Sequence, residues 1–136
     1  MTRPTVVLAD DHAIVAEGLR LLLHDHCDLL AIVSDGPSLV DAAMQHQPDV
    51  IVADISMPGF DGLQAVRRMR EQGVTSKIIM LTMYADAEVA EESIAAGANG
   101  YVVKHSAGDE LLKAIRAVQD GQTYITPFVY KARPPR

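Results

Sequence analysis

The sequence predicts an α/β protein: a doubly wound parallel sheet of five strands with helices on both faces. Two observations predict it. Short β-branched apolar runs alternate with segments of helical periodicity, the pattern of βαβ units. The runs are also unbroken rather than alternating, as expected of strands buried on both faces. A third observation points to where a site lies. Asp10–Asp11, Asp54, Thr82 and Lys104 each close an apolar run. In a parallel sheet the strand ends share one edge, and ligands bind in the crevice there.

The elements follow in order. Thr5 to Ala9 reads as the first strand. His12 to His24 reads as a helix carrying Ile14, Val15, Leu19, Leu22 and Leu23. Leu29 to Val33 is the second strand. Pro37, suited to a first helical turn, opens a helix towards Gln47, and Pro48 stops it. Val50 to Ala53 is the third strand. Leu63, Val66 and Met69 recur at helical spacing before Gly73. Ile78 to Leu81 is the fourth strand. Asp86 is a predicted N-cap of a helix that reaches Ala96 and stops at Gly97. Tyr101 to Val103 is the fifth strand. Ser106 and Asp109 read as a capping box ahead of Leu111, Leu112, Ile115 and Val118. Residues 1–120 form the domain, and 121–136, ending Lys-Ala-Arg-Pro-Pro-Arg, reads as a tail or the start of a linker.

Composition bounds the function. The chain has 136 residues, 49% of them apolar, with no Trp and a formal charge of −6. One domain with an aliphatic core is expected. The acidic balance argues against this segment gripping nucleic acid by itself. Cys27 is the only cysteine, so no intrachain disulfide forms. No apolar run approaches the ~20 residues of a membrane span, and the first residues lack a signal-peptide h-region. A soluble cytoplasmic location is expected. The crowded His24-Asp25-His26-Cys27-Asp28 stretch lacks zinc-site spacing and reads as a polar loop after a helix.

Taken singly, each residue of the site has a plain reading. Asp10 or Asp11 suits an N-cap, Asp54 a turn start, Thr82 a strand, and Lys104 a solvated strand end. Together they form a pattern. Three carboxylates brought close repel, and one holds its proton unless a cation sits among them. Mg²⁺ suits such oxygen ligands. Asp54 precedes a loop marked by Pro58, Gly59 and Gly62, and a carboxylate there can act as a nucleophile and form an acyl phosphate. The backbone carbonyl of Ser56 is a further candidate metal ligand. Thr82 could donate its hydroxyl, and Lys104 its ammonium group, to phosphoryl oxygens.

In these motifs the chain resembles the response-regulator receiver domain of bacterial two-component signalling. Ala9-Asp10-Asp11-His12, Pro48 to Asp54, Met57-Pro58-Gly59-Phe60-Asp61-Gly62, Leu81-Thr82, Gly97 to Tyr101 and Lys104 carry the likeness, over roughly residues 5–120. Asp11-His12 followed by Glu17-Gly18-Leu19, together with Gly121 to Pro127, is similar to the NarL/FixJ group, which has LuxR-type output domains.

The resemblance implies a flavodoxin-like strand order of 2-1-3-4-5. It implies a phosphoacceptor at Asp54, served by a sensor histidine kinase. Asp11 and Asp54 would bind Mg²⁺ directly, and Asp10 through water. Lys104 would pair with the phosphoryl group, Thr82 would move to bond it, and Tyr101 would turn inward. DNA would be bound only through an output domain outside this chain.

Met83 and Tyr84 are bulkier than is common after the Thr, and with Ser56 they are expected to modulate access. His105 stands where many receivers have Pro, so a cis bond at Lys104–His105 is not expected. The alternative is a pseudo-receiver, an interaction module that is not phosphorylated. A stand-alone phosphatase is disfavoured, because such enzymes often carry an acid where Ser56 stands. A homodimer through apolar residues of the first and last helices, such as Leu21 and Leu112, is a further expectation.

Overall fold

The computed structural model describes residues 3–127. The chain alternates strand and helix: β1 (Thr5–Ala9), α1 (Ala13–His24), β2 (Asp28–Val33), α2 (Gly36–His46), β3 (Val50–Asp54), α3 (Gly62–Glu71), β4 (Lys77–Thr82), α4 (Ala87–Ala96), β5 (Gly100–Val103), a 3₁₀ turn at Lys104–Ser106, α5 (Ala107–Gln119) and β6 (Tyr124–Ile125). The strands form one sheet in the order β2-β1-β3-β4-β5-β6. All five neighbouring pairs are parallel.

The pleat divides the core in two. Ile51, Ala53, Ile78 and Met80 face a cluster with Leu39, Ala43, Val66, Met69 and Ala90 of α2, α3 and α4. Val50, Val52, Ile79 and Leu81 face Leu19, Leu23, Leu111, Ile115 and Val118 of α1 and α5. Every residue of β3 is buried, as its unbroken apolar run requires.

Three sequence expectations are corrected. The sheet has six strands, not five. The sixth lies in the segment read as a tail, where Tyr124 N–H donates to the Asn99 carbonyl (3.1 Å) and Thr126 N–H to that of Tyr101 (2.9 Å). Buried Thr126 also accepts from Val103 N–H through Oγ1 (3.1 Å), so it closes the outer edge of β5. A two-residue strand has too little pattern to be read from sequence. Secondly, β2 is an edge strand, and Asp28, Leu30 and Ile32 are exposed in alternation. Its apolar run is half-buried on one face and exposed on the other. Thirdly, Ser106 makes no side-chain cap at α5, because residues 104–106 wind into the 3₁₀ turn that leads into the helix.

Asp86 and Gly97 cap α4 as expected, Asp35 and Asp61 cap α2 and α3 without having been singled out, and α1 begins after His12 with no side-chain cap. Asp35 and Asp61 accept from Ser38 N–H and Gln64 N–H at 2.7 and 2.9 Å. Asp86 accepts from Glu88 and Val89 N–H. Gly97 ends α4 at φ +120°, a conformation that favours glycine. Gly62 is needed for closeness: a Cβ there would lie 2.6 Å from the Asp54 carbonyl oxygen. Its N–H bonds the Ile55 carbonyl, folding the loop after Asp54 back on its own strand.

Candidate functional site

The carboxyl ends of β1, β3, β4 and β5 bring the predicted residues to one edge. Asp10 N–H bonds the Val33 carbonyl (3.0 Å), which extends β1 by one residue and turns the carboxylate into the edge. Ligand atoms of Asp10, Asp11, His12 and Asp54 lie within 4.8 Å of one another. Lys104 reaches them from the end of β5. Its Nζ is 2.8 Å from Asp54 Oδ2 and 3.0 Å from Asp10 Oδ2, and its side chain is 7% exposed. Ser56 N–H donates to Asp54 Oδ1 (3.1 Å).

Burial governs the charges. It pushes the Asp54 carboxyl above its usual range, more than the Lys104 contact and the Ser56 N–H pull it down, and Asp10 adds to the rise. At Lys104 burial acts to lower the pKa, but contacts with Asp54 and Asp10 outweigh it, and the net shift is upward. One ammonium group therefore does not compensate the acids. Asp10 shows this most plainly. Its side chain is fully buried, and Oδ2 has no well-formed hydrogen bond despite its closeness to Lys104. An orphaned carboxylate oxygen aimed into a group of acids fits a hard cation such as Mg²⁺.

Thr82 and Tyr101 both bond the backbone of Tyr84, on its two sides. Thr82 Oγ1 accepts from Tyr84 N–H (3.2 Å), and the Tyr101 hydroxyl donates to the Tyr84 carbonyl (2.9 Å). Tyr101 is fully buried, so the ring expected to turn inward is already there. Met83 and Tyr84 are 63% and 74% exposed on the loop leaving Thr82. No cis peptide bond occurs among the described residues, Lys104–His105 included.

His12 was not picked out as a site residue in the sequence. Its Nδ1 lies 3.1 Å from Asp11 Oδ1, 3.3 Å from Asp10 Oδ1 and 3.8 Å from Asp54 Oδ2. Adjacency to Asp10–Asp11 was the available signal. The Asp10 carboxylate accepts from His12 N–H, and this local turn swings the ring over the acids. Ile14, in the first turn of α1, is 89% exposed. Leu21 is 61% exposed, whereas Leu112 is half-buried against the α1/α5 core.

The response regulator receiver domain family matches residues 6–116. The chain belongs to this family. It is 40% identical over 125 residues to the oxygen regulatory protein NreC of Staphylococcus carnosus, a match covering 90% of this chain and 58% of that protein. The chain thus spans little more than half the length of the curated relatives it matches. A LuxR-family two-component response regulator from Aurantimonas superposes with a TM-score of 0.90 at 31% identity, over 96% of this chain and 94% of that one. The signal receiver domain of NarL from Mycobacterium tuberculosis superposes with a TM-score of 0.85 at 25% identity, over 90% of this chain and all of that domain. These likenesses agree with the NarL/FixJ grouping. The protein is a signalling receiver rather than a conventional enzyme. Among the described residues no helix is long and apolar enough to cross a membrane.

Proposed function

We propose that this receiver is a Mg²⁺-dependent switch that accepts a phosphoryl group on Asp54 from a sensor histidine kinase. The observation that carries this is the meeting of Asp10, Asp11 and Asp54 with Lys104 2.8 Å from Asp54. Asp11, Asp54 and the Ser56 carbonyl would hold the metal, and Asp10 would act through water. The metal would neutralise charge on the incoming phosphoryl group. Asp54 supplies the attacking oxygen, and the bond to the donor's leaving group breaks as the acyl phosphate forms. Lys104 then pairs with a phosphoryl oxygen. Slow hydrolysis by water passing Ser56, Met83 and Tyr84 would reset the switch.

The response runs through Tyr84. Phosphorylation adds roughly two negative charges and three acceptors. The Thr82 hydroxyl turns to donate to them and releases Tyr84 N–H, while Tyr101 keeps hold of the Tyr84 carbonyl. The β4–α4 loop and α4 re-seat in consequence. In the full-length protein this surface would govern a DNA-binding output domain outside this chain. Exposed Leu21 favours a contribution of α1 to a homodimer; half-buried Leu112 contributes less. Incubation with acetyl phosphate and Mg²⁺ tests the reading: intact-mass analysis gains one phosphoryl group, and EDTA or Asp54→Asn prevents the gain. Equal labelling of the variant refutes the assignment, and no labelling and no response to beryllofluoride would favour the pseudo-receiver.

A further inference from the structure

The metal edge of this site holds a nitrogen donor among its carboxylates. We infer that His12 is a metal ligand through Nδ1, and that it shifts the site's preference from Mg²⁺ towards first-row transition cations such as Mn²⁺ and, more strongly, Co²⁺. This rests on the proposed metal site and deepens it.

The geometry is that of a coordination edge. Oxygen and nitrogen ligands about 2.1 Å from a six-coordinate ion, at right angles, stand about 3.0 Å from each other and about 4.2 Å across the ion. His12 Nδ1 stands 3.1 Å from Asp11 Oδ1 and 3.8 Å from Asp54 Oδ2, the two carboxylates proposed to bind the metal directly. The ring is held there by its own backbone, through the His12 N–H bond to Asp10 Oδ1 at 2.9 Å. An independent observation is the buried Asp10 Oδ2 without a well-formed partner, which marks this pocket as short of cation. On coordination Nδ1 presents its lone pair to the ion and the ring proton resides on Nε2. One water of the cation's shell is replaced by imidazole.

Chemistry then sets the preference. Mg²⁺ is hard and gives up water reluctantly, whereas imidazole nitrogen suits later first-row cations. An all-oxygen site would rank these ions less steeply. His12 is therefore a selectivity residue for the bound metal, distinct from the acids that supply its charge.

Pulsed EPR of Mn²⁺ bound to tag-free protein tests this, with His12→Gln and His26→Gln compared. The expected result is ¹⁴N modulation in the parent and in His26→Gln, lost in His12→Gln. Competition titrations should show the Mn²⁺-to-Mg²⁺ affinity ratio falling roughly tenfold in His12→Gln, the scale on which loss of a group supporting a metal site is felt. Mg²⁺ affinity within about twofold of the parent shows that His12→Gln remains folded at the site, and His12→Asn serves if it does not. Mn²⁺ bound without nitrogen coupling, or coupling that persists in His12→Gln, overturns the inference and leaves the acidic site standing. No Mn²⁺ or Mg²⁺ binding at all overturns both.

Discussion

Asp54→Asn should make the metal-free protein more stable, although it removes the proposed phosphoacceptor. At an effective dielectric of 20, repulsion between unit charges 4.8 Å apart is about 3.5 kcal/mol, so Asp10 and Asp11 together cost Asp54 about 7 kcal/mol. Attraction to Lys104 at 2.8 Å returns about 6 kcal/mol. Asn keeps a charge-assisted hydrogen bond to Lys104 worth about 1.5 kcal/mol and is spared the desolvation that raises the Asp54 pKa. Solvent screening at the more exposed Asp11 trims the repulsion. The net expectation is a gain of about 1–2 kcal/mol. The pH dependence has the same sign. A carboxyl whose folded pKa is raised loses stability as pH climbs from its unfolded value near 3.9 through its folded one, and the full cost is present only above the folded value. Urea unfolding in EDTA at pH 7 is the assay. Mg²⁺ at ten times its Kd should stabilise the parent by about 1.4 kcal/mol and the variant by less. A loss of more than about 1 kcal/mol in EDTA would refute the reasoning, because it would mean that the Lys104 pair outweighs the repulsion.

Lys104→Met should destabilise the metal-free protein by about 3 kcal/mol, because Asp10 and Asp54 stay buried without their cation. The raised Lys104 pKa makes its contribution complete below about 10.4 and lost as pH rises through the folded value, so the parent should weaken in strong alkali by a step the variant lacks. Arg70→Met should cost about 2–3 kcal/mol, seen by urea unfolding and by faster amide exchange at the end of α4. The guanidinium bonds the carbonyls of Gly97 and Val74 and the Asn99 side chain, whose Oδ1 also accepts from Ile78 N–H. Gly62→Ala should cost about 1–3 kcal/mol by thermal melting, since the new Cβ meets the Asp54 carbonyl and Met80. Thr82→Ala should still take up phosphate, yet NMR shifts at Tyr84 and along α4 should respond less to beryllofluoride.

Much of this was legible because parallel strands register their ends. Asp54, Thr82 and Lys104 each close a run whose interior is uniformly apolar, and the pairing Asp54↔Leu81 and Thr82↔Val103 converts that shared position into nearness. What escaped has physical reasons. Leu29–Val33 is as apolar as an inner strand, but only neighbours decide which strand is an edge, so the exposure of Leu30 and Ile32 was invisible. Tyr124–Ile125 forms a strand because β5 has an open edge, not through its own periodicity. Ser106 matched a capping motif whose geometry the 3₁₀ turn prevents. His12 offered only its adjacency to Asp10–Asp11 as a signal: its place over the acids comes from one backbone hydrogen bond to Asp10.

The most direct test of the central claim is chemical trapping of the acyl phosphate. Protein treated with acetyl phosphate and Mg²⁺ is reduced with borohydride, which converts a phosphorylated aspartate to homoserine, and digested for peptide mass spectrometry. Homoserine at position 54, dependent on Mg²⁺, is the predicted result. Reduction at Asp10 or Asp11 instead, or at no aspartate, would contradict it.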